Sequence, residues 1–308
     1  MAWKERDDCM GEGAETTGRG AGGVWLILAA AVLWGTTGTS QALAPVGASP
    51  ATVGALRLAV GGLALLVVAV VRGGLRGGGR WPLVATACAG IFIAAYQVTF
   101  FAAVARTGVA VGTMVGIGSS PVFAGILGYL VRGERPGLRW AAATLLAVAG
   151  CSLLLVAGGG ISVNPVGILL ALGASASYAA YTLAIKVLLD GRSPDAVVAV
   201  AFCLGALILA PLLVGANLSW VMDPRGFLVT MHLGLIATAL SYQLFARGLR
   251  TVPVATAVTL SLAEPLTAAI LGVAVVGERL TPLALCGIAL LFGGLALLAV
   301  RRKPAGSS

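Results

Sequence analysis

Ten apolar stretches run along the chain in two sets of five, and the second set repeats the first at a constant offset of 144 residues. Gly133-Glu134-Arg135 returns as Gly277-Glu278-Arg279, Pro121 as Pro265, and Ser49-Pro50 as Ser193-Pro194. Arg106-Thr107 returns as Arg250-Thr251, Phe101 as Phe245, Gly128 as Gly272 and Gly150 as Gly294. The stretches are about 20 residues long, enough for a helix to cross the hydrocarbon core of a bilayer. A unit with an odd number of crossings forces the copy behind it to enter the membrane from the other side. The repeat therefore predicts two five-helix units of inverted orientation.

Composition agrees with a membrane setting. Of 308 residues, 59% are hydrophobic and only 10% charged, against about 25% charged in soluble domains. The expected spans are 23–43, 51–71, 82–104, 109–131, 138–157, 165–185, 196–216, 226–246, 254–276 and 283–300. Each is expected to be a helix, because a segment in lipid must satisfy its own backbone polar groups unless it belongs to a closed barrel. Barrel strands alternate in polarity over about ten residues, and these runs do not. The fold class is thus all-α integral membrane, with ten transmembrane helices as two inverted five-helix repeats. Residues 1–22 read as a polar cytoplasmic leader without the apolar core of a signal peptide. The first repeat is expected at 23–157, the second at 165–300, and a basic cytoplasmic tail at 301–308. Cys88, Cys151, Cys203 and Cys286 lie inside apolar runs and Cys9 in the leader, with no disulfide spacing pattern.

The basic residues set an orientation. Sixteen of the twenty lysines and arginines fall in the termini and the even-numbered loops; Arg106, Arg225 and Arg279 fall in odd-numbered loops, and Arg57 inside a span. The positive-inside rule then places both termini in the cytoplasm of a multi-pass plasma-membrane protein. The same bias accounts for the net charge of +9 without a nucleic-acid partner. The partners expected are the lipid bilayer and a small-molecule substrate.

In count, inversion and motif order the chain resembles the drug/metabolite transporter superfamily, specifically its EamA-like ten-helix members. Leu33-Trp34-Gly35, Ser49-Pro50 with Arg57, the Pro121-to-Glu134 segment and the Glu264-Pro265-to-Glu278 segment carry the resemblance, and Gly150 and Gly294 mark the last helix of each half. The resemblance covers about residues 23–300. It implies import or export of small metabolites, often amino acids, through a cavity between the halves, by a protein that serves as a monomer or a homodimer. Inverted repeats that rock about a midplane site are the plan of secondary transporters.

Glu264 is the only acid inside a span, where a charge costs a few kcal/mol or more. It suits a substrate amine or a coupling proton; the bland reading is a neutral carboxyl bonded to a neighbouring helix. On one continuous helix, Thr256, Thr259, Glu264 and Thr267 share one face. Arg57, the only base deep inside a span, is read as gating or structural: it either neutralises Glu264 or holds a substrate carboxylate through its planar fork, or it snorkels outward or caps loop carbonyls. Trp34, Tyr96, Tyr178 and Tyr242, with Gln97 and Gln243, have the aromatic and polar make-up of a small-molecule pocket; packing is the competing explanation. Thr37 and Ser120 are placed along the same route. Pro121 and Pro265 are expected to bend their helices near the substrate. Glu134 and Glu278 either latch the two faces or end as solvated helix termini. Trp25, Trp81, Trp140 and Trp220 near span ends read as interfacial anchors.

No cofactor or metal site is expected. Hydrolysis within the membrane would need paired aspartates, a metal motif or a serine with a base, and no such constellation is present. A Walker motif is also absent. A channel or lipid scramblase remains the alternative to a secondary transporter that works by alternating access, with an efflux direction preferred by family analogy.

Overall fold

The computed structural model describes residues 22–37, 39–40, 43–45, 49–76, 79–157, 164–271, 274 and 281–300. Its helices are α1 (Gly22–Thr37), α2 (Pro50–Val71), α3 (Leu83–Gly118), α4 (Ser120–Arg132), α5 (Leu138–Ala157), α6 (Pro165–Leu189), α7 (Pro194–Leu209), α8 (Pro224–Met231), α9 (Ser241–Leu249), α10 (Val254–Leu260), α11 (Ala263–Leu271) and α12 (Pro282–Ala299). No strand occurs among the described residues. Glu278, most of the leader and the basic tail lie outside them.

Local sequence explains where the helices start. Pro50, Pro165, Pro224 and Pro282 each open a helix behind a small polar residue whose side chain accepts a backbone N–H of the first turn. Ser49 accepts from Thr52 at 3.2 Å, Asn164 from Gly167 at 3.0 Å, Asp223 from Arg225 at 3.0 Å and Thr281 from Ala284 at 3.2 Å. Proline lacks the N–H that a first turn leaves unpaired anyway, so it costs nothing there, while the cap satisfies a donor that lipid or protein would strand. Gly133 closes α4 with φ 64°, a left-handed conformation that glycine adopts without steric penalty.

The apolar helical segments number ten among the described residues. The long ones are Ala51–Val71, Leu83–Ala103, Val115–Arg132, Pro165–Leu189, Pro194–Leu213, Pro224–Leu249 and Pro282–Ala299; the shorter ones are Gly22–Thr37, Leu138–Leu153 and Val254–Ala268. Each falls on one expected span, giving an all-α membrane fold of two five-helix repeats. Three details depart from the expectation. First, helical backbone continues through the connection between spans 3 and 4, so that α3 carries span 3 and the start of span 4 up to Gly118, and α4 carries the rest. A methyl group on Gly116 would lie 3.4 Å from the Phe100 ring, whereas sixteen residues of straight helix would separate them by about 24 Å. The chain therefore reverses between these two residues. Second, α8 and α9 are joined by a π-helical stretch, His232–Leu240, which nothing in the local sequence announces. Third, span 9 is not one helix: it breaks at Ser261–Leu262 between α10 and α11.

The repeat-related helices α5 and α12 pack against one another at their glycines. A methyl group on Gly150 would come within 2.4 Å of the Leu291 nitrogen and 2.5 Å of the Gly287 oxygen. One on Gly294 would come within 2.6 Å of the Ala143 oxygen and 2.8 Å of the Ala147 nitrogen. Gly150 and Gly294, Ala143 and Gly287, and Ala147 and Leu291 are each 144 residues apart, so the pseudo-two-fold axis passes through this crossing. Small residues are what let helix backbones meet in lipid. Because the obstructing atoms are backbone, Gly150→Ala and Gly294→Ala are each expected to destabilise by about 1–3 kcal/mol, the usual cost of overpacking. Thermal unfolding in detergent checks this, with Gly293→Ala as control, since a methyl there meets nothing within 4 Å.

Candidate functional site

Both broken helices turn their interruptions toward one cleft. In the first half the helical run stops at Gly118, resumes at Ser120 and carries Pro121 in its first turn; in the second it stops at Leu260, resumes at Ala263 and carries Pro265. A proline cannot donate to the carbonyl four residues earlier, here that of Ile117 or Ser261. The Ser261 carbonyl is taken instead by the Glu264 N–H at 3.0 Å; at the first break the Val122 N–H reaches the Ser119 carbonyl at 3.1 Å. The prolines thus sit where expected, but they accompany breaks rather than bends. The break also ends the single helical face assumed for span 9: Thr259 belongs to α10, where it accepts from Trp140 Nε1 at 3.1 Å and lies 3.0 Å from the Thr144 hydroxyl. Trp140 is therefore a tie between α5 and α10, not simply an interfacial anchor, and Trp220 is buried.

The cleft is partly open, and about 430 Å³ of space, open solvent included, lies within it. Its walls include Trp34 and Thr37 from α1, Arg57 from α2, Tyr96, Gly116 and Ile117 from α3, and Ser120 from α4. The second half contributes Tyr178 from α6, Tyr242 from α9, and Ser261 and Glu264 from the broken span. Trp34 and Tyr178, Ile117 and Ser261, and Ser120 and Glu264 are each 144 residues apart. The cleft is therefore built around the repeat axis, but its two sides differ chemically. The second half supplies a carboxylate, a phenol and a hydroxyl where the first supplies a hydroxyl, an indole and an alkyl group.

Hydroxyl groups on α6 hold both breaks. Ser175 Oγ lies 2.7 Å from Ser119 Oγ and 3.0 Å from Ser120 Oγ, and Tyr178 Oη lies 3.0 Å from Ser261 Oγ. Three residues apart, Ser175 and Tyr178 share one helix face. Gly35 lets α1 close on the other side: a methyl there would lie 2.8 Å from the Glu264 carbonyl oxygen. Trp34, beside it, packs on Tyr242 at 4.8 Å and meets Tyr178 edge-on at 6.4 Å between ring centroids. Tyr96 lies 5.5 Å from Tyr178. Arg57 is buried; its Nε donates to Thr238 Oγ1 at 3.1 Å and its Nη2 to the Ala237 carbonyl at 3.4 Å, both on the π-helical stretch. Near the C-terminal end of α1, the Thr36 hydroxyl and His232 Nε2 lie 2.9 Å apart, so the sole histidine has a partner.

Gln97 and Gln243 are buried but do not line the cleft. Successive helical residues point about 100° apart, so a cleft-facing tyrosine turns its neighbouring glutamine away; Gln97 donates to the Gly54 carbonyl at 3.4 Å instead. Ile117 and Ser261 were not singled out in the sequence. They stand one helical turn before Ser120 and Glu264 and are themselves 144 residues apart, which is the signal that could have found them.

The repeats are also tied at the face formed by the even-numbered loops. Glu134, just past α4, accepts the N–H of Val254, first residue of α10, at 2.8 Å. Arg132 pairs with Asp190 at 2.7 Å, and Asp195 bridges Arg247 at 2.9 Å and Arg72 at 3.5 Å. Lys186 donates to the carbonyls of Leu249, Arg250 and Val252, capping α9. Every ion pair among the described residues lies at this face. The equivalent Glu278 is outside the described residues.

Comparison with known proteins matches this architecture. A solved crystal structure aligns over 89% of this chain and 95% of its own with TM-score 0.77 at 22% identity, a likeness of fold. The uncharacterized transporter YwfM of Bacillus subtilis is 48% identical over 270 residues, 87% of this chain and 90% of its own. The threonine/homoserine exporter RhtA of Escherichia coli K12 is 37% identical over 149 residues, about half of either chain (47% and 49%). The EamA-like transporter family matches twice, at residues 21–156 and 165–300. The chain is a member of that family, a multi-pass membrane transporter of the drug/metabolite type carrying two copies of the EamA-like unit.

Proposed function

We propose that this transporter exports an amino acid or a closely related small metabolite by alternating access, coupled to protons through Glu264. The observation that carries the reading is the single carboxylate in the wall of the cleft, set among aromatic rings beside one guanidinium. An α-amino acid is complementary to such a lining: its ammonium suits Glu264 and its carboxylate suits donors on the opposite side. The exporter RhtA, named for threonine and homoserine, supports the substrate class by analogy alone.

The chemistry of coupling follows from desolvation. A bare carboxylate in a water-poor cleft is stable when neutralised by a cation or a proton. Substrate ammonium and proton therefore compete for Glu264. Binding from the cell interior takes place on the ionised carboxylate, and protonation from the more acidic exterior releases the substrate there. The helix breaks beside Glu264 and Ser120 give the two halves matched points at which to change angle, as in other inverted-repeat transporters. With the basic even-numbered loops inside, both termini are cytoplasmic and the tied face described above closes the cytoplasmic side.

In reconstituted vesicles, Glu264→Gln is expected to abolish transport driven by an imposed pH gradient while inserting normally; full activity would end the coupling proposal. Tyr178→Ala is expected to raise the half-saturating substrate concentration about tenfold, the scale of one aromatic contact and one hydrogen bond. Reporter fusions in loop 2 and loop 7 are expected to mark cytoplasm and exterior respectively, and the reverse pattern would invert the orientation.

A further inference from the structure

Four buried side-chain polar atoms among the described residues lack a hydrogen-bond partner: Trp34 Nε1, Tyr181 Oη, Arg192 Nε and Trp220 Nε1. Of these residues only Trp34 lines the cleft. It is 5% exposed, and its ring is held by Tyr242 at 4.8 Å, Phe245 at 5.3 Å and Tyr178 at 6.4 Å. Packing of that kind fixes the direction of the indole N–H, and an indole nitrogen can only donate. A buried donor without an acceptor is rare in native proteins, and where one persists it points to a ligand, an ion or a water that receives it.

The repeat explains why this donor has no protein partner. Tyr178 stands in the second half where Trp34 stands in the first, and its hydroxyl meets Ser261 at 3.0 Å. The first-half residue in the place of Ser261 is Ile117, whose side chain offers no acceptor. Both members of each pair line the cleft. One half therefore closes its own hydrogen bond, and the other leaves a buried, unpartnered donor on a residue of the cleft wall.

We infer that Trp34 Nε1–H donates to a carboxylate oxygen of the substrate and is a specificity-determining contact. This rests on the reading of the cleft as the substrate route. Arg57 has Nε and Nη2 engaged by Thr238 and Ala237, so it supplies positive potential from a fixed position while the indole supplies a directed bond. Glu264 takes the opposite charge. A site built to hydrogen-bond a substrate group rejects the analogue that lacks it far more strongly than an apolar pocket rejects a missing methylene. The cleft should accordingly favour an amino acid over the amine that lacks its carboxylate.

The test is direct binding to purified protein in nanodiscs, using the twenty amino acids and, for each binder, the corresponding amine. In the wild type the amino acid is expected to bind more tightly than the amine. Trp34→Phe keeps the ring and removes the N–H, and is expected to reduce that preference about tenfold, the scale of one directed hydrogen bond. Trp34→His, which retains a ring donor, is expected to recover part of it. A Trp34→Phe protein that weakens both ligands equally, or keeps the wild-type ratio, would overturn the assignment and leave the transport reading standing. Should the variant fail to fold, the wild type decides: equal affinity for amino acid and amine overturns the inference. If no amino acid binds the wild type, the proposed substrate class falls and this inference with it.

Discussion

A backbone N–H or C=O left unpaired in hydrocarbon costs several kcal/mol, and the architecture of this protein follows from that cost. It makes every crossing a helix and concentrates polar side chains at helix ends. It also confines interrupted helix to places that face protein or a cavity. The two such places on the repeat-related spans, at Ser119 and at Ser261–Leu262, open onto one cleft and are held by hydroxyls of Ser175 and Tyr178 on a single face of α6. The breaks need the cleft, since lipid would strand their carbonyls. The cleft in turn needs the breaks, since they bring Ser120, Ser261 and Glu264 to its wall.

Duplication provides the frame, and divergence within it provides the chemistry. At the crossing of α5 and α12 the repeats remain close to equivalent, with Gly150 and Gly294 each permitting backbone contact. At the cleft they have parted: Glu264 opposes Ser120, Ser261 opposes Ile117, and Tyr178 opposes Trp34. A symmetric frame lets two conformations be related by exchange of roles between halves. An asymmetric lining gives a bound molecule one orientation in both.

The face of the even-numbered loops shows the same division. Glu134 in the first repeat caps α10 of the second, and Arg132 reaches Asp190. Contacts of this type are weak singly when exposed, and their effect lies in joining the halves at one end of the cleft.

Much of this was legible in the chain by itself. A constant offset of 144 residues, five crossings per copy and the even-loop bias of arginine determined the helix count and the inverted plan, because hydrophobic length and repeat parity are one-dimensional properties. Pro121, Pro265 and the isolated Glu264 were likewise visible as exceptions within apolar runs. Direction of side chains was not. Tyr96 and Tyr242 reach the cleft while Gln97 and Gln243 do not, Arg57 turns inward to the π-helical stretch, and Glu134 finds the N–H of Val254. Those outcomes depend on the rotation of each helix about its axis and on where helical phase is reset. Tertiary packing sets both, here through close approaches such as Gly35 on α11 and Gly150 on α12, between residues more than a hundred positions apart.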